Sequence, residues 1–313
     1  MKTVTQDAAD YLALRRSLGF KLCRHARCLK KFLAFLRRQR RQRITTQLAL
    51  HFATSAADCG LKTQADRLSV VRGFARYRLA SDPRTEVPPP GLLPNPRQRA
   101  QPYLYSEEEI RGLLTAALAR PSRISLRPWT YACLFGLLAV TGMRASEALH
   151  LQLAQIDWEN GVLTIGKSKF GKTRLLPLHP STVAALADYA QRRQRYLQDH
   201  HLPPSACFFV SGKGQPVRKS NLDRLFWALS RELGWRSVGV RGGPRLHDLR
   251  HRFAVQTLVQ WYRQGAAVEG RLPVLSTYLG HADVTYTYWY LSSTPELMAA
   301  ASTRLEQRWK GLA

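Results

Sequence analysis

Arginine, histidine, lysine and tyrosine recur in four short segments whose spacing defines what they could do together. In TGMRASEALHL, Arg144 and Glu147 stand one helical turn apart, so the carboxylate can hold the guanidinium in place. In RLHDLRHRFA, His247 shares a helix face with Arg250 at i, i+3 and with His251 at i, i+4. The second pairing has the outline of the HExxH zinc motif. Zinc is not expected, because Asp248 replaces the longer glutamate, Arg250 adds a cation, and no third ligand suggests itself. In LGHADVTYTYWYL, His281 follows the helix-stopping Gly280, and Tyr286, Tyr288 and Tyr290 lie within five positions. Between the first two segments, GVLTIGKSKFGKTRLLPL carries Lys167, Lys169 and Lys172.

One reaction uses all of these side chains. A phosphodiester under attack spreads negative charge over its non-bridging oxygens, and planar guanidinium forks match them bidentately. Histidines near their ordinary pKa can move protons. A lysine can protonate the departing oxygen, and a tyrosine can be the covalent nucleophile once neighbouring cations favour its phenolate. If 284–291 is a short helix, Tyr286 and Tyr290 share a face and Tyr288 points away, so spacing leaves the first two as equal candidates.

Global composition agrees with a polyanionic partner. Lys and Arg total 48 against 21 Asp and Glu, a net charge of +27, and nucleic acid is the first candidate for such a surface. Hydrophobic residues make up 45% of the 313, enough to build real cores, and the length suits two domains. The five cysteines, Cys23, Cys28, Cys59, Cys133 and Cys207, form no disulfide framework, which implies a reducing cytoplasm. The first residues lack a signal-peptide apolar core, and the longest apolar run, Tyr131 to Met143, is too short to span a bilayer.

The elements that must position the reactive groups follow from periodicity. Residues 1–81 read as a helical module, with Leu29, Phe32, Leu33 and Leu36 at helical spacing and Leu68, Val71, Phe74 and Ala75 on one stripe. Over residues 1–99 there are 21 Lys and Arg against 6 Asp and Glu, so this module is expected to lie against phosphates, with Arg67, Arg72 and Arg76 facing DNA. The stretch 82–102 holds seven of the 17 prolines and reads as an extended tether. At about 3.1 Å per residue it would reach roughly 60 Å. A second domain, 103–313, opens at the capping box of Ser106 and Glu109. Gly161 to Leu178 reads as a β-hairpin, with helical pattern at 180–200, 220–234, 247–263 and 294–309. The last of these has Thr294 as its cap and Pro295 at its first position. The fold class is mainly α with a small antiparallel sheet.

The second domain, over about residues 103–292, resembles the tyrosine recombinase (phage integrase) family. TGMRASEAL is similar to that family's first arginine motif, HDLRHRFA to its H-x-x-R box, and LGHADVTYTYWY to its LGH…Y box. The N-terminal module and tether resemble the family's core-binding domain and interdomain linker, in the minimal two-domain form. The resemblance implies that Arg144 and Arg250 clamp the scissile phosphate, that His247 assists proton transfer with the tyrosine, and that His281 hydrogen-bonds the phosphate. It implies Lys169 as the hairpin lysine, five residues before Arg174, with Lys167 as the fallback; Lys172 and Arg174 are expected at the DNA. Glu147 and Asp248 are expected to orient the arginine and the H-x-x-R helix. The family's nucleophile lies nine residues after the LGH histidine, which selects Tyr290. One departure is the rather long stretch between the H-x-x-R helix and the LGH box.

The activity so implied is site-specific DNA recombination or integration, by strand cleavage and exchange through a 3′-phosphotyrosyl intermediate, with transposition of a mobile element as the expected context. No cofactor or metal is implied. The expected partner is double-stranded DNA with a specific recombination site, bound by a homo-tetramer, with or without partner recombinases. The expected setting is the bacterial cytoplasm at the nucleoid, with no membrane partner. A type IB topoisomerase-like enzyme and a non-catalytic DNA-binding regulator are the alternatives.

Overall fold

The computed structural model describes residues 2–55, 59–95, 101–121, 126–166, 173–237, 242–292 and 295–310. It divides into two compact units, Met1–Ala100 and Gln101–Ala313. Among the described residues, no helix is long and apolar enough to cross a membrane.

The first unit is built from α1 (Val4–Ser17), α2 (Cys23–Arg38), α3 (Thr46–Thr54) and α4 (Leu61–Leu79). Thr3 and Thr45 cap α1 and α3, each accepting a backbone N–H through its hydroxyl. The apolar stripes meet in one core containing Leu29, Phe32, Leu36, Phe52, Val71 and Phe74. Arg78 is drawn into this unit, 3% exposed, pairing with Asp7 at 2.5 Å and Asp82 at 3.4 Å.

The proline-rich stretch expected as an extended tether is held against the first unit's core over part of 82–93. Glu86 donates its N–H to the Ile44 carbonyl and accepts the Thr46 N–H on its carboxylate, at the start of α3. Val87 and Leu93 pack on the core. Proline lacks an N–H but keeps its carbonyl. Arg72 donates to the carbonyls of Pro88 and Pro89, at 2.7 and 2.8 Å. Composition showed that no helix could run here; it did not show that an arginine from α4 would hold the extended chain down.

The second unit is mainly helical around a three-stranded antiparallel sheet, β1 (Ile156–Asp157), β2 (Val162–Ile165) and β3 (Arg174–Pro177), in the order β1-β2-β3. β2 and β3 form the expected hairpin, Val162 opposite Pro177 and Ile165 opposite Arg174; the lysine-bearing turn between them lies outside the described residues. The unit's helices are α5 (Glu107–Ala119), α6 (Leu126–Thr141), α7 (Ala145–Leu149), α8 (Pro180–Asp199), α9 (Lys219–Glu232), α10 (Asp248–Arg263), α11 (Val268–Leu279), α12 (Thr285–Tyr288) and α13 (Pro295–Lys310). Ser106 and Glu109 form the capping box of α5. The apolar run of α6 is a buried helix at the centre of the larger core, and a smaller core gathers Val255, Leu258, Leu272, Leu279, Tyr290 and Leu297. α13 lies against α10 of its own chain, Leu297 buried and Arg304 donating to the Ala266 carbonyl.

Candidate active site

Four elements converge on the C-terminal end of α11. That helix stops at Gly280, in the left-handed region at φ 67°, and its last carbonyls have no partners within the helix. Three arginines from three elements take up consecutive ones. Arg174 Nε donates to the Tyr278 carbonyl at 2.7 Å, Arg250 Nη2 to Leu279 at 2.7 Å, and Arg144 Nη2 to Gly280 at 2.6 Å. The negative end of the helix dipole favours this gathering of cations.

Arg144 is placed by the end of α6. Gly142 turns the chain at φ 59°, and a Cβ there would stand 2.6 Å from the Phe253 ring. The Gly142 carbonyl accepts Arg250 Nη1 at 2.9 Å, joining the first arginine segment to α10. Arg144 then precedes α7, with its backbone N–H and Nη1 both on the Glu147 carboxylate at 2.9 Å. Glu147 also receives Arg174, at 3.1 and 2.6 Å, and so bridges two guanidinium groups. Burial pushes its pKa up, but the hydrogen bonds from Arg174 and Arg144 outweigh it and hold the carboxyl below its ordinary value.

Arg174, expected at the DNA, points inward in this structure. It is 8% exposed, and its guanidinium is held by Glu147 and Tyr278. The reason is the period of two along β3: Arg174 and Leu176 point to the same, buried face. Arg72 is likewise held by Pro88 and Pro89. Arg67 is half-buried with its guanidinium 5.8 Å from the Phe52 ring, and Arg76 is exposed. Lys167, Lys169 and Lys172 lie outside the described residues.

His247 and Arg250 sit at the start of α10. Asp248, 1% exposed, fixes this start by accepting the Arg245 backbone N–H at 2.8 Å and its Nη2 at 2.7 Å. Arg250 is 2% exposed; burial and then Arg144 bring its pKa down to about 10, so it stays a cation at neutral pH. A pocket opens beside these groups, lined by Met143, Arg144, Ser146, Lys219, His247 and Arg250. Burial, followed by Arg250, pushes the His247 pKa down to about 4 and the His281 pKa down to about 3. His281 Nδ1 lies 2.8 Å from Thr287 Oγ1.

The three tyrosines separate by burial. Tyr286 and Tyr288 are 49% and 48% exposed, whereas Tyr290 is 2% exposed. The expected shared face of Tyr286 and Tyr290 is not formed. The α-helical turn Thr285–Tyr288 passes into a 3-10 turn, Trp289–Ser292. At about three residues per turn, side chains three apart come to one face; Thr287 and Tyr290 are the buried pair. The Tyr290 ring stacks on His281, centroids 6.3 Å apart, and its hydroxyl lies 3.1 Å from Nδ1 of His251. His247 meets this group through a T-shaped ring contact with His251 at 4.8 Å. His251 was not singled out as a reactive group from sequence. Its only local signal is the i, i+4 spacing from His247.

Arg144, His247 and Arg250 line the pocket, and the buried Tyr290 lies against His281 and His251, the latter in ring contact with His247; together they form a site for an oxyanion near a phenol. Residues 104–296 match the profile of the Phage integrase family. The chain is 49% identical to y4rB of Sinorhizobium fredii (strain NBRC 101917 / NGR234), whose name places it among integrases and recombinases, over 99% of both chains. It is 32% identical to the tyrosine recombinase XerD of Caulobacter vibrioides (strain ATCC 19089 / CIP 103742 / CB 15), covering 76% of this chain and 72% of that one. In fold it is similar to the Tn1549 transposon integrase solved with a circular intermediate DNA (TM-score 0.68, 15% identity, 98% of this chain and 100% of that one). It is similar also to the XerH site-specific recombinase solved in a post-cleavage complex with difH (TM-score 0.64, 20% identity, 90% and 79%). The chain belongs to the phage integrase family.

Proposed function

We propose that the protein is a site-specific DNA recombinase in which Tyr290 attacks a backbone phosphate held by Arg144 and Arg250. The observation that carries this reading is the convergence of Arg144 before α7, His247 and Arg250 at the start of α10, and Tyr290 in the 3-10 turn, around His281 and the end of α11. The guanidinium groups of Arg144 and Arg250 supply the charge complement that a five-coordinate phosphorane needs. They now hold the carbonyls of residues 280 and 279, and each keeps further N–H groups for the phosphate oxygens. His281 donates to a non-bridging oxygen, and Lys169 protonates the 5′ leaving oxygen. Glu147 and Asp248 orient the machinery without touching DNA.

The product of the first step is a 3′-phosphotyrosyl protein and a free 5′-hydroxyl. A 5′-hydroxyl from a second duplex reverses the attack, so bond energy is conserved. Two duplexes imply four protomers, acting with or without a partner recombinase at the nucleoid. The basic first unit supplies further phosphate contacts, Arg76 among them. A mobile element is the natural context for such a reaction.

A nicked suicide duplex tests the reading. The duplex carries the sequence that the protein protects in the DNA flanking its own gene. The wild type is expected to form a protein–DNA adduct on it, and Tyr290→Phe to bind it equally well without forming one. Adduct formation by Tyr290→Phe would refute the assignment of the nucleophile. Binding with no adduct from the wild type would point to a regulator, and supercoil relaxation with no recombinant product to a topoisomerase.

A further inference from the structure

The Tyr290 hydroxyl has a neighbour that the phosphate-binding set does not use. His251 stands one residue after Arg250 and one turn after His247, with Nδ1 3.1 Å from the phenol oxygen. Its ring is fixed by Trp289 at 5.4 Å, Tyr290 at 5.5 Å and His247 at 4.8 Å, each between ring centroids. The charged and titratable groups around it are His247, Asp248, Arg245 and Arg250 from α10 and the turn before it, Tyr290 from the 3-10 turn, and His281 from the loop after α11. Burial and then His247 push its pKa down to about 4, so the ring is neutral at pH 7. A neutral imidazole has one N–H and one bare nitrogen. In the tautomer whose Nδ1 is bare, the phenol O–H donates to it across this contact.

We propose that His251 is the proton acceptor for Tyr290; this rests on the reading of Tyr290 as the nucleophile. As Oη bonds to phosphorus, its proton passes to Nδ1 of His251. The P–O5′ bond breaks, its electron pair stays on the 5′ oxygen, and that oxygen takes a proton from the lysine of the 167–172 turn. Resealing runs the step backwards: the incoming 5′-hydroxyl returns its proton to the lysine, and His251 returns its own to Tyr290. Asp248, buried one turn away, favours the transient imidazolium. The family resemblance pointed to His247 for proton transfer. The geometry puts His251 at the phenol and His247 behind it, on the side of the pocket shared with Arg144 and Arg250.

The test uses the full chain and the suicide duplex above, made in two forms. One has the natural 5′-bridging oxygen at the scissile phosphate, the other a sulfur, which departs without needing a proton. His251→Ala is expected to form the adduct about 10²-fold more slowly or worse, with no recovery on the sulfur form. Its single-turnover rate is expected to climb with pH through the neutral range. His251→Gln keeps a hydrogen-bond acceptor but takes no proton, and is expected to be equally slow. Wild-type rates in either variant overturn the proposal, because the glutamine result would reduce His251 to a positioning contact. So does transfer of the new pH dependence to His247→Ala in place of His251→Ala.

A second measurement needs no DNA and no alanine variant. In long-range 1H–15N correlation spectra of histidine-labelled full chain at pH 7, Nδ1 of His251 is expected to be unprotonated and to shift in Tyr290→Phe. A protonated Nδ1 overturns the proposal even if the adduct assays agree with it. If the wild type forms no adduct while Nδ1 is bare and coupled to Tyr290, the recombinase reading fails and the hydrogen bond stands.

Discussion

Arg174 and Glu147 form a two-pronged ion pair, Nη2 to Oε2 at 2.6 Å and Nη1 to Oε1 at 3.1 Å, with side chains only 6% and 8% exposed. It links the start of β3 to α7, and through the Arg174 bond to Tyr278 it also grips the end of α11. Removing one partner of a buried pair leaves an uncompensated charge, at a cost of about 3–5 kcal/mol. Arg174→Ala is therefore expected to destabilise the second unit by that order, read as a lowered Tm of the full chain. A change within experimental scatter would mean that Arg144 alone satisfies Glu147.

Gly280→Ala is expected to disturb the same place from the other side. A methyl at 280 would stand 2.8 Å from Arg174 Nη1 and 3.0 Å from its Cζ, on a backbone at φ 67°. Left-handed backbone at a residue with a Cβ costs roughly 1–2 kcal/mol. The guanidinium is pinned at Glu147 and cannot swing aside freely. The expected outcome is slower adduct formation with DNA affinity retained, compared by single-turnover cleavage and filter binding.

Arg144 is the more open of the site's arginines, with a quarter of its side chain exposed at the pocket. Arg144→Ala is expected to lower the cleavage rate by about 10²-fold or more while leaving the protein folded. Equal cleavage by Arg144→Ala and wild type would remove Arg144 from the phosphate.

The histidines give the stability a pH dependence with a defined sign. His247, His251 and His281 are held at about 4, 4 and 3, below the ordinary 6.5. The unfolded chain binds protons at these positions first. Stability is thus lost as pH falls from about 6.5 toward about 4. A Tm series from pH 7.5 to 5.5 stays above the ordinary carboxylate range, where Glu147 and Asp82 would begin to add their own loss. The Tm is expected to fall across it, and less steeply in His281→Gln; a flat profile would contradict the burial of these rings.

Two arginines of α4 are expected to behave differently. Arg76→Ala, at an exposed position, should weaken binding to any duplex alike and reduce its salt dependence by about one counterion. Arg72→Ala should release the segment carrying Pro88 and Pro89, seen as faster proteolysis around 86–93, with little change in salt dependence.

The sequence by itself determined the candidates for the reactive set and most of the elements. Arg144, His247, Arg250, His281 and Tyr290 stand in short segments whose local spacing fixes which side chains share a helical turn, and the resemblance of those segments to a known family supplied their order. Helical stripes, the Ser106 cap and the hairpin alternation are also local signals, legible without contacts. Tertiary structure alone decided the partners. That Arg174 is internal, that Arg72 holds proline carbonyls, that the phenol of Tyr290 meets His251, and that three arginines share consecutive carbonyls of α11 all depend on groups as much as 136 residues apart. Periodicity says which way a side chain points from its own element; which charge or carbonyl waits there is set by packing between elements distant in the chain.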